Sequence, residues 1–283
     1  MAVRTGAQLP VALTIAGLDP SGGAGIAADL RSFGAAGVWG AAVCAALTVQ
    51  STRGVRSVHA VASTLVTAQA EELLADAPVR AIKIGALGSA ANARAVAALL
   101  AAHPEIPAIL DPVMIPSRSA DPSASARARL DGGGVAALRA LGARATLITP
   151  NLPEAALLLG MQAGSPIASA RDAATALVDA GARAVLVKGG HAVGPEAVDW
   201  LALRGGRVVR IARPRRETPP LHGTGCTLAS LIAGRLAARV LVGEGASDAD
   251  IVAAVRWARG RLDAALVAPL VVGGGLRVLR VSK

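Results

Sequence analysis

The chain has 283 residues, a formal net charge of +10 at pH 7 and aromatic side chains at 1% of its positions. The excess charge comes from arginines spread along the sequence, and aromatic residues that stack on bases are almost absent, which argues against a nucleic-acid-binding protein. Two cysteines, Cys44 and Cys226, are too few for a disulfide scaffold or a zinc knuckle. Glycines interrupt the longest uncharged stretch, so no membrane span is predicted, and we expect a cytoplasmic protein.

Short β-rich runs alternate with alanine-rich stretches of helical length along most of the chain. The run VALTIAG precedes a predicted helix near Ala24 to Ala36, and RAIKIGA precedes another from Ser89 to Ala102. The remaining runs are GAAVCAALTV, PAILDPVM, ATLITPN and RAVLVKGG. Because they are continuously apolar rather than alternating, they predict strands covered by helices on both faces. The predicted fold class is therefore α/β, a three-layer α/β/α sandwich with a mainly parallel central sheet.

The last third of the chain adds a hairpin and two helices. AVDWLALR and RVVRIAR, separated by Gly205-Gly206, predict a hairpin near one edge of the sheet. One helix opens at Gly223 to Thr227, another runs from Ser247 to about Val267, and a short strand follows the glycines at Gly273 to Gly275. No linker, repeat or change in composition marks a boundary, so residues 1–283 are predicted to form a single domain.

Polar residues collect where the predicted strands end. Six strand ends continue into the segments AGLDPSGGAG, VQST, KIGALGS, DPVM, TPNLPE and KGGH. Ligands of open α/β sheets bind at the carboxyl ends of the strands. The sequence therefore predicts one active site along this rim.

The segment PPLHGTGCTLAS places Cys226 directly after a Gly-x-Gly turn and at the start of a predicted helix. Gly223 and Gly225 can adopt backbone angles closed to other residues, and the hydroxyls of Thr224 and Thr227 can cap the helix. A helix N-terminus attracts anions and lowers the pKa of a thiol, so this turn could hold a phosphate and prepare a thiolate. The structural alternative is a tight turn packed around a buried cysteine.

Two other phosphate-binding motifs fit the sequence poorly. Gly23 to Ala28 matches a dinucleotide fingerprint, but apart from Asp29 no acidic residue occurs between Gly25 and Glu71 to bind the ribose. A P-loop is excluded because none of the three lysines follows a glycine. The turn around Cys226 is therefore the best predicted phosphate loop.

Phosphoryl transfer needs cations at the phosphates, a loop for the moving group and a residue that orients the acceptor oxygen. Asp111, Asn151 and Glu154 could hold Mg²⁺ directly or through water, and Lys188 could contact the phosphates of a nucleotide together with Thr224. Cys226 is placed to accept a proton from an acceptor hydroxyl. The alternative for Asn151 and Glu154 is a capped helix start, and Lys188 alone could be a surface charge.

These segments resemble a known enzyme family. LTIAGLDPSGGAGIAADLRSFGAAG, KIGALGS, LDPVM, ITPNLPEA, VLVKGGH and HGTGCTLAS are similar, in the same order, to the motifs of bacterial hydroxymethylpyrimidine/phosphomethylpyrimidine kinases of the ribokinase-like superfamily. The resemblance covers roughly residues 11–240. It implies an ATP- and Mg²⁺-dependent phosphotransferase that converts 4-amino-5-hydroxymethyl-2-methylpyrimidine and then its monophosphate to the pyrophosphate used in thiamine biosynthesis. It also implies a homodimer.

The resemblance assigns roles to individual residues. Gly17, Asp29, Gln50 and Val113 are implied to line the pyrimidine pocket, and Cys226 stands where sugar kinases of the superfamily carry an aspartate base. The Gln50 amide can pair with both the amino group and the ring acceptor of an aminopyrimidine.

The sequence departs from the family pattern at two places. Ala86 stands beside the substrate ring where the family usually has methionine, and LVVGGGLRVLRVSK replaces the customary Gly-Pro-rich C-terminus. The first departure bears on the choice of substrate, and the second bears on an edge strand or an interface.

Other functions stay open at this point. A pyridoxal kinase of the same fold is the closest alternative, and Gln50 speaks against it because a pyridine ring lacks the aminopyrimidine edge. A non-catalytic sensor of thiamine precursors is the second, and the intact set of catalytic residue types speaks against it. The basic run RIARPRRE could attract ATP or form a solvated hairpin exit. His191 and His222 could each bind a phosphate or pack a turn.

Overall fold

A computed structural model of the chain describes residues 9–114, 132–161, 169–189 and 194–282. Within these ranges the main sheet has nine strands in the order β3-β2-β1-β4-β5-β6-β7-β8-β9. The strands are β1 Val11–Leu18, β2 Trp39–Ser51, β3 Gly54–Ala60, β4 Val79–Ile84, β5 Ala108–Leu110, β6 Leu147–Ile148, β7 Ala184–Val187, β8 Glu196–Leu203 and β9 Val208–Pro214. From β2 to β7 neighbouring strands are parallel, whereas β3, β8 and β9 pair antiparallel.

Helices cover both faces of this sheet. Those of the described ranges are α1 Gly25–Ala35, α2 Ser63–Asp76, α3 Ala90–Ala102, α4 Gly132–Gly142, α5 Leu152–Leu158, α6 Ala170–Asp179, α7 Thr224–Arg239 and α8 Asp248–Ala265. One hydrophobic core lies between the sheet and α2 to α6, and a second lies between the sheet and α1, α7 and α8. Apolar side chains on both faces of β1 and β4 feed both cores, which is why these strands are almost fully buried. The predicted three-layer sandwich with a mainly parallel sheet is confirmed.

Several predicted elements are confirmed within one or two residues. The α3 and α8 helices begin at their capping serines, Ser89 and Ser247, each of which accepts a backbone N–H from three residues further on. The predicted hairpin is β8 and β9, with β9 at the edge of the sheet. The strand β3 and the helix α2 are additions that the sequence analysis did not contain. The assignment of residues 1–283 to a single domain stays a prediction.

The C-terminal segment is tied to two other parts of the chain. β11 Arg277–Val278 pairs in parallel with β10 Leu221–His222 in a separate two-stranded sheet. Just before it, the backbone N–H of Leu276 donates to the carbonyl of Thr52 at 2.8 Å, at the turn between β2 and β3. The unusual C-terminus therefore braces both the β2–β3 hairpin and the strand that leads into α7. Among the described helices, none has the length and apolar character needed to cross a bilayer.

Candidate active site

Charged residues meet at the carboxyl ends of β5 and β7. Asp111 follows β5 directly, and its Oδ1 lies 3.0 Å from Lys188 Nζ, which follows β7. Glu154 Oε2 lies 4.0 Å from the same ammonium. A backbone bridge between Asn151 and Lys188 extends the parallel pairing of β6 and β7 to this point, which brings these strand ends side by side. The predicted rim site therefore brings together Asp111, Asn151, Glu154 and Lys188.

The helix-capping alternative for Asn151 and Glu154 is realised as well. Asn151 Oδ1 accepts the backbone N–H of Glu154 at 2.9 Å, and Glu154 Oε2 accepts the backbone N–H of Asn151 at 2.8 Å. This reciprocal capping box holds the Glu154 carboxylate at the start of α5, facing Lys188. One pair of residues thus builds the helix start and presents a carboxylate to the rim.

The charges of this cluster alter one another's proton affinity. Burial disfavours the ammonium of Lys188, but the Asp111 and Glu154 carboxylates outweigh that effect and raise its pKa, so Lys188 is a cation at neutral pH. Burial raises the pKa of the Glu154 carboxyl to about 7, although the Lys188 ammonium opposes the shift. Glu154 therefore changes charge near physiological pH.

The loop before α7 closes over this cluster. Gly223 has φ of 78°, in the left-handed region, and a Cβ there would stand 2.0 Å from the carbonyl oxygen of Gly23. A Cβ at Gly225 would stand 3.3 Å from Lys188 Nζ and 3.4 Å from Asp111 Oδ2. Bare backbone at both glycines therefore lets the loop approach the strand ends.

The start of α7 has no side-chain cap. The prediction that the hydroxyls of Thr224 or Thr227 cap this helix is wrong: the Gly223 carbonyl accepts the Thr227 N–H as an ordinary helical bond, and Thr227 is buried. An N-terminus without a side-chain cap keeps backbone donors available for an anion. Half-buried Thr224 lies at this mouth as the first helical residue.

Cys226 stands in the first turn of α7, partly exposed, and its sulfur accepts a hydrogen bond from the backbone N–H of Gly25 at the start of α1. Burial raises the pKa of this thiol to about 11, even though the Lys83 ammonium pulls it down. The prediction of a thiol with a lowered pKa is therefore wrong, because loss of solvent and the Asp111 charge outweigh the favourable groups. The sulfur does lie beside the loop that follows β1.

The residues predicted for the pyrimidine pocket divide into two groups. Gly17 and Ala86 lie near each other, because a Cβ at Gly17 would stand 3.5 Å from the Ala86 carbonyl oxygen. Gln50 lies further along β2, four residues after Ala46, the residue that pairs with Gly17. Val113 is half-buried, two residues after Asp111. These residues belong to adjacent strand ends of the rim.

Asp29 is different, because it is fully buried in α1, with an exposed fraction of 0%. Its carboxylate accepts hydrogen bonds from Lys83, Thr14 and Ser230, all of which are also enclosed. Asp29 therefore lies one helical turn beneath the start of α1, and its place in the pyrimidine pocket stays a prediction. The sequence signal that was missed is Lys83 itself, a lysine inside an otherwise apolar strand.

His222 joins the two ends of the site. Its Nε2 lies 2.7 Å from Asp19 Oδ2 and 3.0 Å from Gln50 Nε2. Burial raises the pKa of the Asp19 carboxyl, but hydrogen bonds from His222 and Ser21 outweigh it, and the net pKa is lowered. The sequence analysis kept two roles open for His222, phosphate binding and turn packing. In the structure its side chain contacts Asp19 and Gln50. His191 lies outside the described residues.

The donor set suits a magnesium ion shared with phosphates. Within the described ranges, no cluster of three or more His, Cys, Asp or Glu side chains is arranged to enclose a metal. Asp111 and Glu154 nevertheless offer hard carboxylate oxygens around one point, where Lys188 now lies between them. Mg²⁺ commonly takes one or two protein carboxylates and completes its shell with water and substrate phosphates. The residues present therefore fit an ion that arrives with a nucleotide.

The main sheet is mostly parallel, and its carboxyl edge carries a glycine loop without a side-chain cap, a cysteine, and a lysine between two carboxylates. This combination indicates a small-molecule kinase of the ribokinase-like class. Among solved structures, the chain is similar to Bacillus subtilis pyridoxal kinase in its ADP complex, with a TM-score of 0.80, 27% identity and coverage of 96% of this chain and 97% of that one. It is also similar to phosphomethylpyrimidine kinase from Clostridium difficile, with a TM-score of 0.71, 31% identity and coverage of 90% and 98%.

The family model for phosphomethylpyrimidine kinase matches residues 19–277. The hydroxymethylpyrimidine/phosphomethylpyrimidine kinase of Rhizobium meliloti is 43% identical over 240 residues, which are 84% of this chain and 87% of that protein. A thiamine biosynthesis multifunctional protein of Corynebacterium efficiens is 40% identical over 229 residues, and the match spans 30% of its length. The chain belongs to the phosphomethylpyrimidine kinase family.

Proposed function

We propose that this protein is an ATP-dependent kinase that phosphorylates 4-amino-5-hydroxymethyl-2-methylpyrimidine and then its monophosphate, giving the pyrophosphate for thiamine biosynthesis in the cytoplasm. The observation that carries the proposal is the meeting of Asp111, Lys188, Gly225 and Cys226 within one small volume at the sheet edge. Its relatives, a hydroxymethylpyrimidine/phosphomethylpyrimidine kinase and a thiamine biosynthesis multifunctional protein, support the same activity. A homodimer stays a prediction.

The proposed roles follow from the contacts. The start of α7, from Gly223 to Cys226, would bind the transferred phosphoryl group through its backbone donors, and Lys188 would neutralise the phosphate charge. Asp111 and Glu154 would hold Mg²⁺ together with the ATP phosphates, and the ion would supply further charge neutralisation. Staphylococcus aureus pyridoxal kinase, of related structure, is known in complex with AMP-PCP and pyridoxal, which supports ATP as donor.

Cys226 would take the proton of the hydroxymethyl group as its oxygen attacks the phosphorus. The second step differs, because a phosphate oxygen is then the nucleophile and is already ionised. A thiol whose pKa is raised to about 11 is almost wholly protonated at neutral pH, so little of the thiolate base is present, and we expect the alcohol step to quicken as the pH rises.

Gln50 is the residue that separates the two substrate classes. Solved structures of similar fold include pyridoxal kinases, but relatives that are 43% identical to this chain are named hydroxymethylpyrimidine/phosphomethylpyrimidine kinases. The Gln50 amide lies at the rim in contact with His222 and can exchange that contact for the aminopyrimidine edge. Pyridoxal offers no equivalent donor beside a ring acceptor.

The substrate class can be tested directly with Mg·ATP and three acceptors: hydroxymethylpyrimidine, its monophosphate and pyridoxal. We expect turnover of both pyrimidines and little of pyridoxal. Replacing Gln50 with leucine should lower kcat/KM for hydroxymethylpyrimidine by about tenfold to a hundredfold, because the buried partner atoms of the ring are left unpaired. Gln69→Leu, which removes a half-buried amide of α2 that donates to the Leu65 carbonyl, is the matched control. Equal use of pyridoxal by the wild-type protein would overturn the substrate assignment.

The magnesium requirement should depend on pH through Glu154. Its raised pKa, about 7, means that the carboxyl carries a proton below that pH and is an anionic ligand above it. The Mg²⁺ concentration for half-maximal activity should therefore rise as the pH falls from about 8 to about 6, by up to about tenfold per unit below the pKa. Magnesium titrations of the initial rate at several pH values measure this. The Glu154→Gln variant should need more Mg²⁺ throughout and lose the pH dependence, and a dependence retained by that variant would contradict the assignment.

A further inference from the structure

A network of buried polar side chains lies one helical turn below the candidate site. Lys83 Nζ donates to Asp29 Oδ2 at 2.8 Å, and Thr14 Oγ1 donates to the same oxygen at 2.7 Å. Ser230 Oγ donates to the other oxygen, Oδ1, at 2.6 Å. All four side chains have an exposed fraction of 0%. The network joins β1, α1, β4 and α7 at one carboxylate.

Its spacing along the two helices repeats the spacing of the site. Asp29 follows Gly25 by four residues in α1, and Ser230 follows Cys226 by four residues in α7. Residues four apart lie on the same face of a helix, one turn from each other. The Gly25–Cys226 contact joins the first turns of α1 and α7, and the Asp29–Ser230 hydrogen bond joins the same two helices one turn further on.

The ammonium of Lys83 also lies close to Gly85, the residue before Ala86. A Cβ at Gly85, just after β4, would stand 2.7 Å from Lys83 Nζ. A fully buried ion pair seldom stabilises a fold more than an apolar pair of the same shape would. The free-energy cost of burying Lys83 and Asp29 thus points to a task other than stability. One reactive group on which the Lys83 charge acts is the Cys226 thiol, whose pKa it lowers.

We propose that Lys83, Asp29 and Ser230 are positioning residues for Cys226: they fix the register of α7 against α1 and keep a positive charge beneath the sulfur. This inference rests on the proposed function. In the first phosphorylation the alcohol O–H bond breaks and its proton passes to the thiolate of Cys226. The oxygen bonds to the terminal phosphorus of ATP, and the bond from that phosphorus to the departing ADP oxygen breaks. A nearby ammonium favours the thiolate that this step needs.

Other charged groups also affect the pKa of the Cys226 thiol. Asp111, after β5, and Asp29, in α1, raise the pKa of the thiol, and Lys188, after β7, lies within electrostatic range of it. The Gly25 N–H lowers the thiol pKa. Lys83 is the cation that acts on the sulfur from inside the protein, where water screens it least.

The test compares three variants built on Cys44→Ala, so that Cys226 is the remaining cysteine. Lys83→Met removes the positive charge, and Ser230→Ala removes the hydrogen bond between α7 and Asp29 in α1. Thr14→Val, the matched control, removes a hydrogen bond from β1 to the same carboxylate. The rate of iodoacetamide alkylation of Cys226 is measured against pH. The kcat and KM are measured with the alcohol and with the monophosphate.

We expect Lys83→Met to move the alkylation profile to higher pH and to lower kcat for the alcohol by about tenfold or more, with KM nearly unchanged. Ser230→Ala should lower the same kcat with a smaller movement of the alkylation profile. Thr14→Val should change each quantity by less than about threefold. The monophosphate rate should fall little in all three variants.

Lys83→Met leaves Asp29 buried without its cation and could fail to fold. The double variant Lys83→Met/Asp29→Asn restores neutrality and keeps a side-chain acceptor for Ser230. Because the Asp29 charge itself raises the thiol pKa, the double variant should show a smaller alkylation shift in the same direction. An unchanged alkylation profile in the folded variants, or equal loss with both substrates, overturns the inference. If the wild-type protein phosphorylates neither pyrimidine, the proposed function fails, and the alkylation profiles still decide the role of Lys83.

Discussion

Replacement of Cys226 by alanine is expected to lower kcat for hydroxymethylpyrimidine by about a hundredfold or more, within the range typical of a lost general base. The monophosphate should lose less than about tenfold, because its nucleophilic oxygen carries no proton that must be removed. Steady-state rates with each acceptor at saturating Mg·ATP measure the two effects. The reason lies in the position of the sulfur, between the Gly25 backbone and the turn that faces Lys188 and Asp111.

The pH dependence of the same variant separates chemistry from packing. With the thiol pKa raised to about 11, the thiolate fraction of the wild-type protein grows about tenfold for each pH unit below that value. The alcohol rate should therefore climb between about pH 6 and pH 9 in the wild type and lose this slope in Cys226→Ala. Cys44→Ala, which changes a partly exposed thiol of β2, should leave both rates and the slope intact. A Cys226→Ala protein that slows both acceptors equally and keeps the slope would contradict the assigned role.

Replacement of Gly223 by alanine is expected to abolish most activity with both acceptors, by about a hundredfold or more. The residue has φ of 78°, and its added Cβ would stand 2.0 Å from the Gly23 carbonyl oxygen and 3.2 Å from the Ala24 Cα. Backbone atoms cannot turn aside as a flexible side chain does, so the loop before α7 must shift. The donors at the start of α7 would then leave the place where they meet the phosphates.

A matched control isolates the clash from the backbone angle. Gly206 has φ of 86° in the β8–β9 turn, and a Cβ there would meet nothing within 4 Å. Gly206→Ala should lose about 1 kcal/mol of stability from the left-handed conformation alone and keep its kinase activity. Gly223→Ala should lose more stability than this and nearly all activity. Thermal denaturation together with kcat/KM for each acceptor tests both statements, and an active Gly223→Ala enzyme would remove the loop from the phosphate site.

Most of the fold could be predicted from local sequence patterns. Continuous apolar runs predicted the strands of the parallel centre, and serines at the helix starts predicted α3 and α8 because capping is a local interaction. The strand β3 was missed because GVRSVHA is short and polar, and it is held by antiparallel pairing with β2 rather than by its own composition.

The candidate site, like the fold, has features that local sequence patterns predict and features that they do not. The residues at the strand ends were predictable, since parallel strands place their carboxyl ends together. The burial of Asp29 was not, because Lys83 and Ser230 meet it only in three dimensions. The high pKa of the Cys226 thiol was not predictable either, because it arises from loss of solvent and from the Asp111 and Asp29 charges. Solvent exclusion at a helix mouth is a property of the assembled layers and leaves no trace in the spacing of a motif.

The contacts that hold the site join the opening of the chain to its close. Asp19 and His222, Asp29 and Ser230, and Gln50 and His222 are separated by 203, 201 and 172 residues along the sequence. The bracing strand β11 comes later still, beyond residue 276. During synthesis the first βα unit therefore leaves the ribosome long before its partners exist, and pairings between such distant segments form slowly. The site is therefore complete only after residues 19–52 have docked against residues 222–278.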